Sequence, residues 1–268
     1  MSKKLLIIGL VTVIITSGFS YNQVFAKKVS DNEVPQEEGV YDVPGHPNLK
    51  VRVFVYKEKS SHRPTPTPSP TPSPVCNLPD PDSAAIVDSA GWHLPSGTWT
   101  YVLNTNSVPS SVGSSNLAIM AADAFNRWSN AIDPPAQITF VKSPKNTSVS
   151  RAIYDGKNII TWGNASSGIL AIATIWYYPS TGLVAEVDTV MNKSYPWAWS
   201  NPATTCAYQN VYDAQDILTH ELGHWMGLDD EYETIYKNAT MYGYGSMTET
   251  LKDTLSSGDI AGVVSIYH

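Results

Sequence analysis

The sequence predicts an α+β domain over residues 76–268. Trp and Tyr are frequent in this range, polar turns separate its apolar runs, and its roughly 190 residues suffice for one domain with a sizeable core. Most of the apolar runs are short, which is typical of strands. Two longer stretches, 114–132 and 213–228, have the apolar spacing or the capping residue of a helix.

The first half of the domain is predicted to hold three strands and one helix. The segments 98–103, 138–141 and 158–162 are short and rich in β-branched and aromatic residues, which favours strands. The segment 114–132 is a predicted amphipathic helix. Its apolar face carries Leu117, Met120, Ala121, Ala124, Phe125 and Trp128.

The second half is predicted to hold a strand pair and two helices. The segments 169–178 and 183–191 flank the turn-forming residues 179–182, which favours two connected strands. Asp213 is a good N-cap for a helix that runs to about residue 228. A capping-box-like start at 256–259 precedes the last helix. This helix is expected to bury Ile260, Val263, Val264 and Tyr267.

Residues 1–26 are predicted to be a secretory signal peptide. Lys3 and Lys4 form a basic start, residues 5–15 are apolar, and residues 24–26 fit a cleavage site. The apolar run is shorter than the about 20 residues that a membrane span needs. We therefore expect a secreted, extracellular protein with no stable membrane span after signal cleavage. An uncleaved anchor and association with the cell surface are the alternatives.

Residues 27–63 are polar apart from a strand-like piece at 49–56, where apolar and polar residues alternate. They form a short pro-segment, a strand docked on the main domain or a small stalk, and the sequence leaves these three alternatives open. Residues 64–75 are a Pro/Thr/Ser-rich linker. Its alternating prolines favour an extended spacer over a recognition site for proline-binding modules.

Charge and cysteine content narrow the class of protein. The formal net charge is −7, and without the signal peptide it is near −9, which argues against nucleic acid as a partner. The chain has two cysteines, Cys76 and Cys206. In an exported protein, the simplest prediction is that they form one disulfide.

Residues 220–230 carry the strongest chemical signal, the pattern H-E-x-x-H-x-x-G-x-x-D. His220 and His224 would face one side of a helix, which is the spacing at which two imidazoles bind one zinc ion. Glu221 is a candidate general base. Gly227 permits a sharp turn that would bring Asp230 back as a third ligand. Three protein ligands leave a fourth zinc position for a water molecule, whose pKa the metal lowers to about 7.

This motif resembles the metzincin zinc peptidases and, within them, the matrixins. The likeness covers about residues 92–268. Beyond the zinc motif, the similar segments are 124–129, 138–140, 238–243 and 255–263. The resemblance implies a metzincin fold, with a twisted mixed sheet of about five strands, two long helices and a smaller C-terminal subdomain that ends in a helix. It also implies that Met241 lies in a tight turn beneath the zinc.

A further implication of the resemblance concerns the substrate. Gly168, Ile169, Leu170 and Ala171 look like the edge strand on which matrixins bind an extended peptide by backbone pairing. The expected substrate is a protein or peptide. Glu221 would take a proton from water and later donate it to the leaving group.

Several positions depart from the matrixin pattern. Matrixins carry a histidine where this chain has Asp230; a carboxylate also suits zinc, and the neighbouring Asp229 is the alternative ligand. Ile172 stands where the family's structural zinc needs a histidine, so we predict one catalytic zinc and no second zinc of that type. Glu186 and Asp188 are candidates for structural Ca²⁺, although they are expected to be ordinary carboxylates on the strand surface.

Residues 76–80 resemble the cysteine switch of matrixins, in which a thiolate of the pro-segment occupies the open zinc position. Asn77 replaces the glycine that follows this cysteine in the family. A disulfide with Cys206 is therefore favoured over a switch at Cys76.

The sequence thus predicts a secreted, zinc-dependent endopeptidase that is a monomer. Whether it cleaves many proteins or one narrow target stays open. The alternative is a non-catalytic, zinc-stabilised binding module at the cell surface. Glu221 disfavours the module, because a structural zinc site has no need of that carboxylate.

Overall fold

A computed structural model describes residues 34–59, 73–132, 138–200 and 206–267. The predicted signal peptide and residues 64–72 of the predicted linker lie outside the described residues. The described strands are β1 (Gly39–Asp42), β2 (Lys50–Glu58), β3 (Pro74–Cys76), β4 (Gly97–Leu103), β5 (Ile138–Lys142), β6 (Asn158–Gly163), β7 (Ile169–Tyr178), β8 (Leu183–Asn192), β9 (Trp197–Ala198), β10 (Cys206–Tyr208), β11 (Tyr212–Asp213) and β12 (Tyr244–Gly245). The described α-helices are α1 (Asn116–Ala131), α2 (Ala214–Trp225) and α3 (Ser257–Ile266).

Eight of the described strands form one mixed sheet, in the order β1-β2-β7-β8-β6-β4-β5 with β12 paired to β2. The pairs β4–β5, β4–β6 and β6–β8 are parallel, whereas β7 is antiparallel to both β8 and β2. The α+β class and the mixed sheet are confirmed. Strands β4–β8 correspond to the expected sheet of about five strands, and β1, β2 and β12 enlarge it.

Strand β2 confirms the strand predicted at 49–56 and lies within this sheet, next to β7. Because side chains alternate along a strand, β2 contributes to both faces of the sheet. Val51, Val53 and Val55 pack in a small apolar cluster on one face. Phe54 and Tyr56 belong to the main core on the other face, where the helices lie.

Local sequence accounts for helices α1 and α2. The six predicted apolar residues of α1 are all buried in the main core. Asp213 caps α2, as predicted, because its side chain accepts hydrogen bonds from the backbone N–H groups of Gln215 and Asp216. Helix α2 ends at Trp225, slightly before the predicted end, and all of its residues are buried. It packs against both α1 and β7.

Helix α3 begins with the predicted capping box, formed by Ser256 and Asp259. The prediction that Ile260 is buried is wrong, since its side chain is 39% exposed. Val264 is only half-buried. The reason is that the glycine face of α3 packs closely against the preceding chain. A Cβ on Gly258 would lie 1.9 Å from the carbonyl oxygen of Ala85. Ile260 therefore lies on the opposite, outer face.

A disulfide joins Cys76 to Cys206. It connects strands β3 and β10, in which these two residues are paired directly. Pro74 and Val75, at the end of the predicted linker, also lie in β3. No helix within the described part of the chain is long and apolar enough to cross a membrane.

Candidate metal centre

Helix α2 brings two histidine side chains together inside the protein. His220 and His224 lie one turn apart, both are fully buried, and their ring centroids are 4.9 Å apart. The Nδ1–H of His220 donates to the carbonyl oxygen of Thr240 at 2.7 Å, and that of His224 donates to the carbonyl oxygen of Leu228 at 2.9 Å. Because a carbonyl can only accept, Nδ1 carries the proton in both rings. Each Nε2 lone pair is then available to a metal.

Burial keeps these rings neutral, since it lowers the pKa of both His220 and His224 to about 3. Neutral imidazole is the form that binds a metal ion. The protonation state, the tautomer and the ring orientation therefore all suit metal binding.

A turn after α2 returns the chain to the two histidines. Gly227 adopts a φ of 97°, which side chains other than glycine rarely allow. A Cβ at this position would also lie 2.2 Å from the carbonyl oxygen of Trp92, so a side chain would not fit. The turn is closed by a hydrogen bond from the N–H of Leu228 to the carbonyl oxygen of Gly223, at 3.1 Å.

The turn points Asp230, and not Asp229, at the histidines. Asp230 Oδ1 lies 3.2 Å from His220 Nε2 and 3.7 Å from His224 Nε2. The side chain of Asp229 is 42% exposed and faces Arg52, at 3.8 Å. Among the described residues, His220, His224 and Asp230 form the one cluster whose donor atoms could hold a metal ion, and these atoms all lie within 4.8 Å of one another.

Tyr232 orients the Asp230 carboxylate. Its hydroxyl donates to Asp230 Oδ2 at 3.1 Å, which leaves Oδ1 turned towards the histidines. Sequence analysis missed this residue. Its position two residues after the candidate ligand is the signal that could have indicated a supporting role.

Glu221 lies beside the cluster and is fully buried. Neither of its carboxylate oxygens has a hydrogen-bond partner among the described residues. Burial raises the pKa of this carboxyl well above its usual value, and the negative charge of Asp230 raises it further. A buried carboxylate without a protein partner costs stability, so its presence points to a role outside folding.

The loop around Met241 packs against helix α2 next to the cluster. A Cβ on Gly223 would lie 2.2 Å from Met241 Sδ, so the methionine packs closely against α2 at a glycine. Asp259 accepts hydrogen bonds from the N–H groups of Thr240 and Met241, at 2.8 and 3.1 Å. Since the Thr240 carbonyl holds His220, Asp259 fixes that ring indirectly. The sequence indicated Asp259 only as a capping residue.

The predicted substrate-binding edge at Gly168, Ile169, Leu170 and Ala171 is not open in this structure. Its role in substrate binding stays a prediction. Strand β2 pairs with β7 along this edge, with Lys57 opposite Ile169 and Tyr56 opposite Ala171. The N–H of Glu58 donates to the carbonyl oxygen of Gly168 at 3.2 Å. The physical reason is that residues 50–58 satisfy the backbone groups that an edge strand would leave open.

Glu186 and Asp188 are buried, which corrects their expected place on the strand surface. Each carboxylate oxygen accepts a backbone hydrogen bond: those of Glu186 from Asp155 and Gly156, and those of Asp188 from Ile153 and Ile159. The two carboxylates therefore hold residues 153–159 against β8. Alternation along the strand could not reveal this loop.

The cluster fits zinc by the chemistry of its donors. His220 Nε2, His224 Nε2 and Asp230 Oδ1 are buried and have no hydrogen-bond partner among the described residues. Two imidazole nitrogens and one carboxylate oxygen are ligands that zinc prefers, and three such ligands are typical of catalytic sites.

Residues 92–268 match the sequence profile of the matrixin peptidases. The chain belongs to the matrixin family. A comparison with individually characterised proteins finds no significant match. The matched region begins after β1, β2 and β3, so this matrixin carries its first three strands outside the family domain.

Membership assigns the chain to a general chemistry. Matrixins are metallopeptidases that use a catalytic zinc, and a peptidase acts on a protein or peptide substrate. The mixed α+β architecture with three helices agrees with this family.

Proposed function

We propose that this matrixin is a secreted zinc-dependent endopeptidase in which His220, His224 and Asp230 hold the zinc and Glu221 is the general base. The observation that carries the proposal is the convergence of three buried donor atoms beside a buried carboxylate that has no described hydrogen-bond partner. Three protein ligands leave a coordination position for water or substrate, which is the mark of a catalytic zinc.

Zinc supplies Lewis acidity in such a site, which makes water more acidic and polarises a peptide carbonyl. Glu221 performs the proton transfers. Its carboxylate takes a proton from the attacking water and then donates it to the nitrogen of the leaving amine. Because no described group competes for either oxygen of Glu221, the carboxylate is free to contact that water.

The remaining residues position these groups. Tyr232 holds Asp230 with Oδ1 inward, and the Asp259–Thr240 contacts hold His220. Met241 packs beneath the helix and takes no part in the chemistry. Such outer contacts orient metal ligands and typically change metal affinity by about 10- to 100-fold when they are removed.

The rest of the chain supports an exported enzyme. The basic and apolar residues at 1–26 support a signal peptide, and the bond between Cys76 and Cys206 suits an oxidising compartment. Residues 64–72 would act as a spacer. We expect a monomer that acts on extended polypeptides.

A substitution of the general base tests the proposal. In strand β2, the ring of Phe54 stacks on His224 at 3.8 Å and the ring of Tyr56 lies on His220 at 4.0 Å, so this strand covers the metal cluster. The measurement therefore uses both the full chain and a Val55→Pro variant, in which proline removes one N–H from the paired strand. In each form, Glu221→Gln should lower peptide cleavage about 10²- to 10⁴-fold while the bound zinc stays near one per chain. Cleavage is read by mass spectrometry of a peptide library, with a chelator control.

The matched control is Glu233→Gln, since Glu233 is exposed and lies outside the cluster. It should cleave like its parent. A Glu221→Gln protein that keeps the parent rate, or a chain that binds no zinc, would contradict the proposed function.

A further inference from the structure

We propose that the pocket beside His220 selects a basic substrate side chain, lysine or arginine, and that Asp216 and Glu249 determine this preference. The inference rests on the proposed function, because it names the substrate class of the same site. It goes beyond that function by assigning a role to a buried charged group that lies outside the metal cluster.

A pocket for one side chain lies next to His220. In this structure Tyr56 fills the pocket, fully buried, with its ring centroid 4.0 Å from that of His220. Gly245 forms one wall, since a Cβ at this position would lie 2.8 Å from Leu170 Cδ1 and 2.9 Å from Tyr56 Cε1. A side chain at position 245 would therefore close the pocket, and glycine keeps it open for one long side chain.

The hydroxyl of Tyr56, at the far end of the pocket, has no hydrogen-bond partner among the described residues. Burying a hydroxyl without a partner is unfavourable, because the group gives up its hydrogen bonds to water. Tyrosine therefore fits the pocket by its shape but leaves its polar end unsatisfied. A side chain of similar length with a different end group would suit the pocket better.

The electrostatic potential at the end of the pocket is negative. Burial raises the pKa of Tyr56 well above its usual value, and the negative charges of Asp216 and Glu249 raise it further. Asp230 and Glu221 act in the same direction. A bound zinc ion would offset the charges of Asp230 and Glu221, so a preference for a cation depends on Asp216 and Glu249.

Lys252 holds the carboxylates of Asp216 and Glu249 in place. Its ammonium donates to Glu249 Oε1 at 2.7 Å, and its backbone N–H donates to Asp216 Oδ1 at 2.5 Å. One ammonium thus serves two carboxylates, which leaves a negative charge unmatched when both are ionised. Burial raises the pKa of Asp216, and a cation in the pocket would lower it again, because an opposite charge favours the ionised form.

Lysine and arginine meet both requirements of this pocket. Their apolar stems can pack against Leu170 and the His220 ring, while the charged group at the end stays with polar partners. An ammonium or guanidinium group would donate charge-assisted hydrogen bonds to Asp216 and Glu249. An uncharged apolar side chain of the same length cannot do so.

The polypeptide that lies in the cleft in this structure is itself basic. Residues 50–59 contain four basic residues and one acidic residue. The ammonium of Lys57 lies 5.3 Å from the ring centroid of Tyr232, and that of Lys59 lies 5.6 Å from the ring centroid of Tyr242. Aromatic faces attract cations within about 6 Å. The rim of the cleft therefore accepts positive charge as well.

Cleavage of matched peptide pairs tests the preference. The peptides of a pair differ at one residue near the cleaved bond, which is arginine in one and its neutral isostere citrulline in the other. In the full chain and in Val55→Pro, kcat/KM should be at least about 10-fold higher for the arginine peptide at one position. Asp216→Asn and Glu249→Gln should each reduce this ratio about fivefold. The matched control Glu233→Gln should leave the ratio unchanged.

Melting temperatures test the same preference without catalysis. In the Glu221→Gln background, which prevents self-digestion, Tyr56→Lys is compared with Tyr56→Met, whose side chain is of similar length and uncharged. Tyr56→Lys should melt at least about 3 °C higher, and the further change Glu249→Gln should abolish this difference. Circular dichroism measures all four proteins. The peptide pairs need no change at position 56, so they decide the question if these variants do not fold.

The outcomes distinguish this inference from the proposed function. Equal cleavage of the arginine and citrulline peptides at every position overturns the inference and leaves the proposed function intact. An arginine preference that neither Asp216→Asn nor Glu249→Gln reduces also overturns it. If Tyr56→Lys melts higher than Tyr56→Met only while Glu249 is present, and no form cleaves peptides, the charge preference of the pocket stands and the proposed function fails.

Discussion

Two segments far apart in the sequence meet at the metal cluster. One contributes the metal-binding groups, and the other contributes the groups that cover them. Residues 214–241 supply the donor atoms, the candidate base and the loop beneath them. Residues 50–58 supply two aromatic rings and a paired backbone. The first segment determines what chemistry the site can perform, and the second determines what can reach it.

The chemistry of the site and access to it are therefore separate properties of this fold. The metal-binding atoms depend on helix α2, the turn at Gly227 and the loop around Met241, which are close in sequence. The covering of the cluster depends on the pairing of β2 with β7, whose residues are more than a hundred positions apart in the sequence. A change in either segment should therefore alter one property and leave the other nearly intact.

Substitution of a side chain in the metal cluster should change zinc affinity most strongly. Asp230→Asn removes the negative charge of a ligand, so zinc affinity should fall at least about 100-fold. The matched control is Asp229→Asn, which should change zinc affinity little because Asp229 faces Arg52. Competition with a fluorescent chelator measures both constants. Equal losses in the two variants would mean that Asp229 and Asp230 were assigned wrongly.

Tyr232 lies between the two segments, so Tyr232→Phe should affect both. Loss of the bond to Asp230 should weaken zinc binding about 10-fold. Glu38 in turn binds Arg52 and Lys57 of β2, so loss of the contact with Glu38 should make the amides of residues 50–58 exchange faster with solvent. Tyr178→Phe, at the far end of β7, is the control and should change neither value. A pure stability effect without a change in zinc affinity would remove Tyr232 from the positioning role.

A smaller effect is expected from Glu38→Gln, which removes contacts with strand β2 and none with the metal cluster. Its ion pairs with Arg52 and Lys57 are partly exposed, and such pairs contribute about 0.2–1 kcal/mol each. The amides of residues 50–58 should therefore exchange with solvent about two- to tenfold faster, with zinc affinity unchanged. Hydrogen exchange followed by mass spectrometry on Glu38→Gln and on Glu233→Gln provides the comparison. Unchanged exchange in Glu38→Gln would argue against a role of Glu38 in holding strand β2.

The smallest effect concerns a region outside both segments. Burial raises the pKa of Glu186 to about 7. Between its unfolded value and about pH 7, the folded protein holds the proton and the unfolded chain does not, so stability falls as the pH rises. Glu186→Gln should make the fall in melting temperature between pH 5 and 8 shallower by a few degrees, an effect of about 1 kcal/mol. An unchanged slope, measured by circular dichroism, would contradict this.

The sequence was sufficient to predict what depends on near neighbours. The two histidines, the turn at Gly227 and the N-cap Asp213 lie within a stretch of 15 residues, and helix geometry or backbone conformation explains each of them. Strands β2 and β4–β8 and the buried face of α1 followed from local composition and side-chain periodicity.

Features that depend on distant partners could not be predicted in the same way. Periodicity indicates that residues 49–56 form a strand, but it does not indicate which edge the strand pairs with. The burial of Glu186 and Asp188 depends on a loop that folds over them. The exposure of Ile260 depends on a close approach through Gly258. Each of these requires knowledge of the tertiary packing.

The disulfide leaves strand β2 joined to the catalytic domain by the main chain alone. Cys76 and Cys206 both lie after residue 73, so no covalent bond other than the main chain through residues 60–72 joins strand β2 to the catalytic domain. After a single cut there, only non-covalent contacts would keep strand β2 beside the metal cluster.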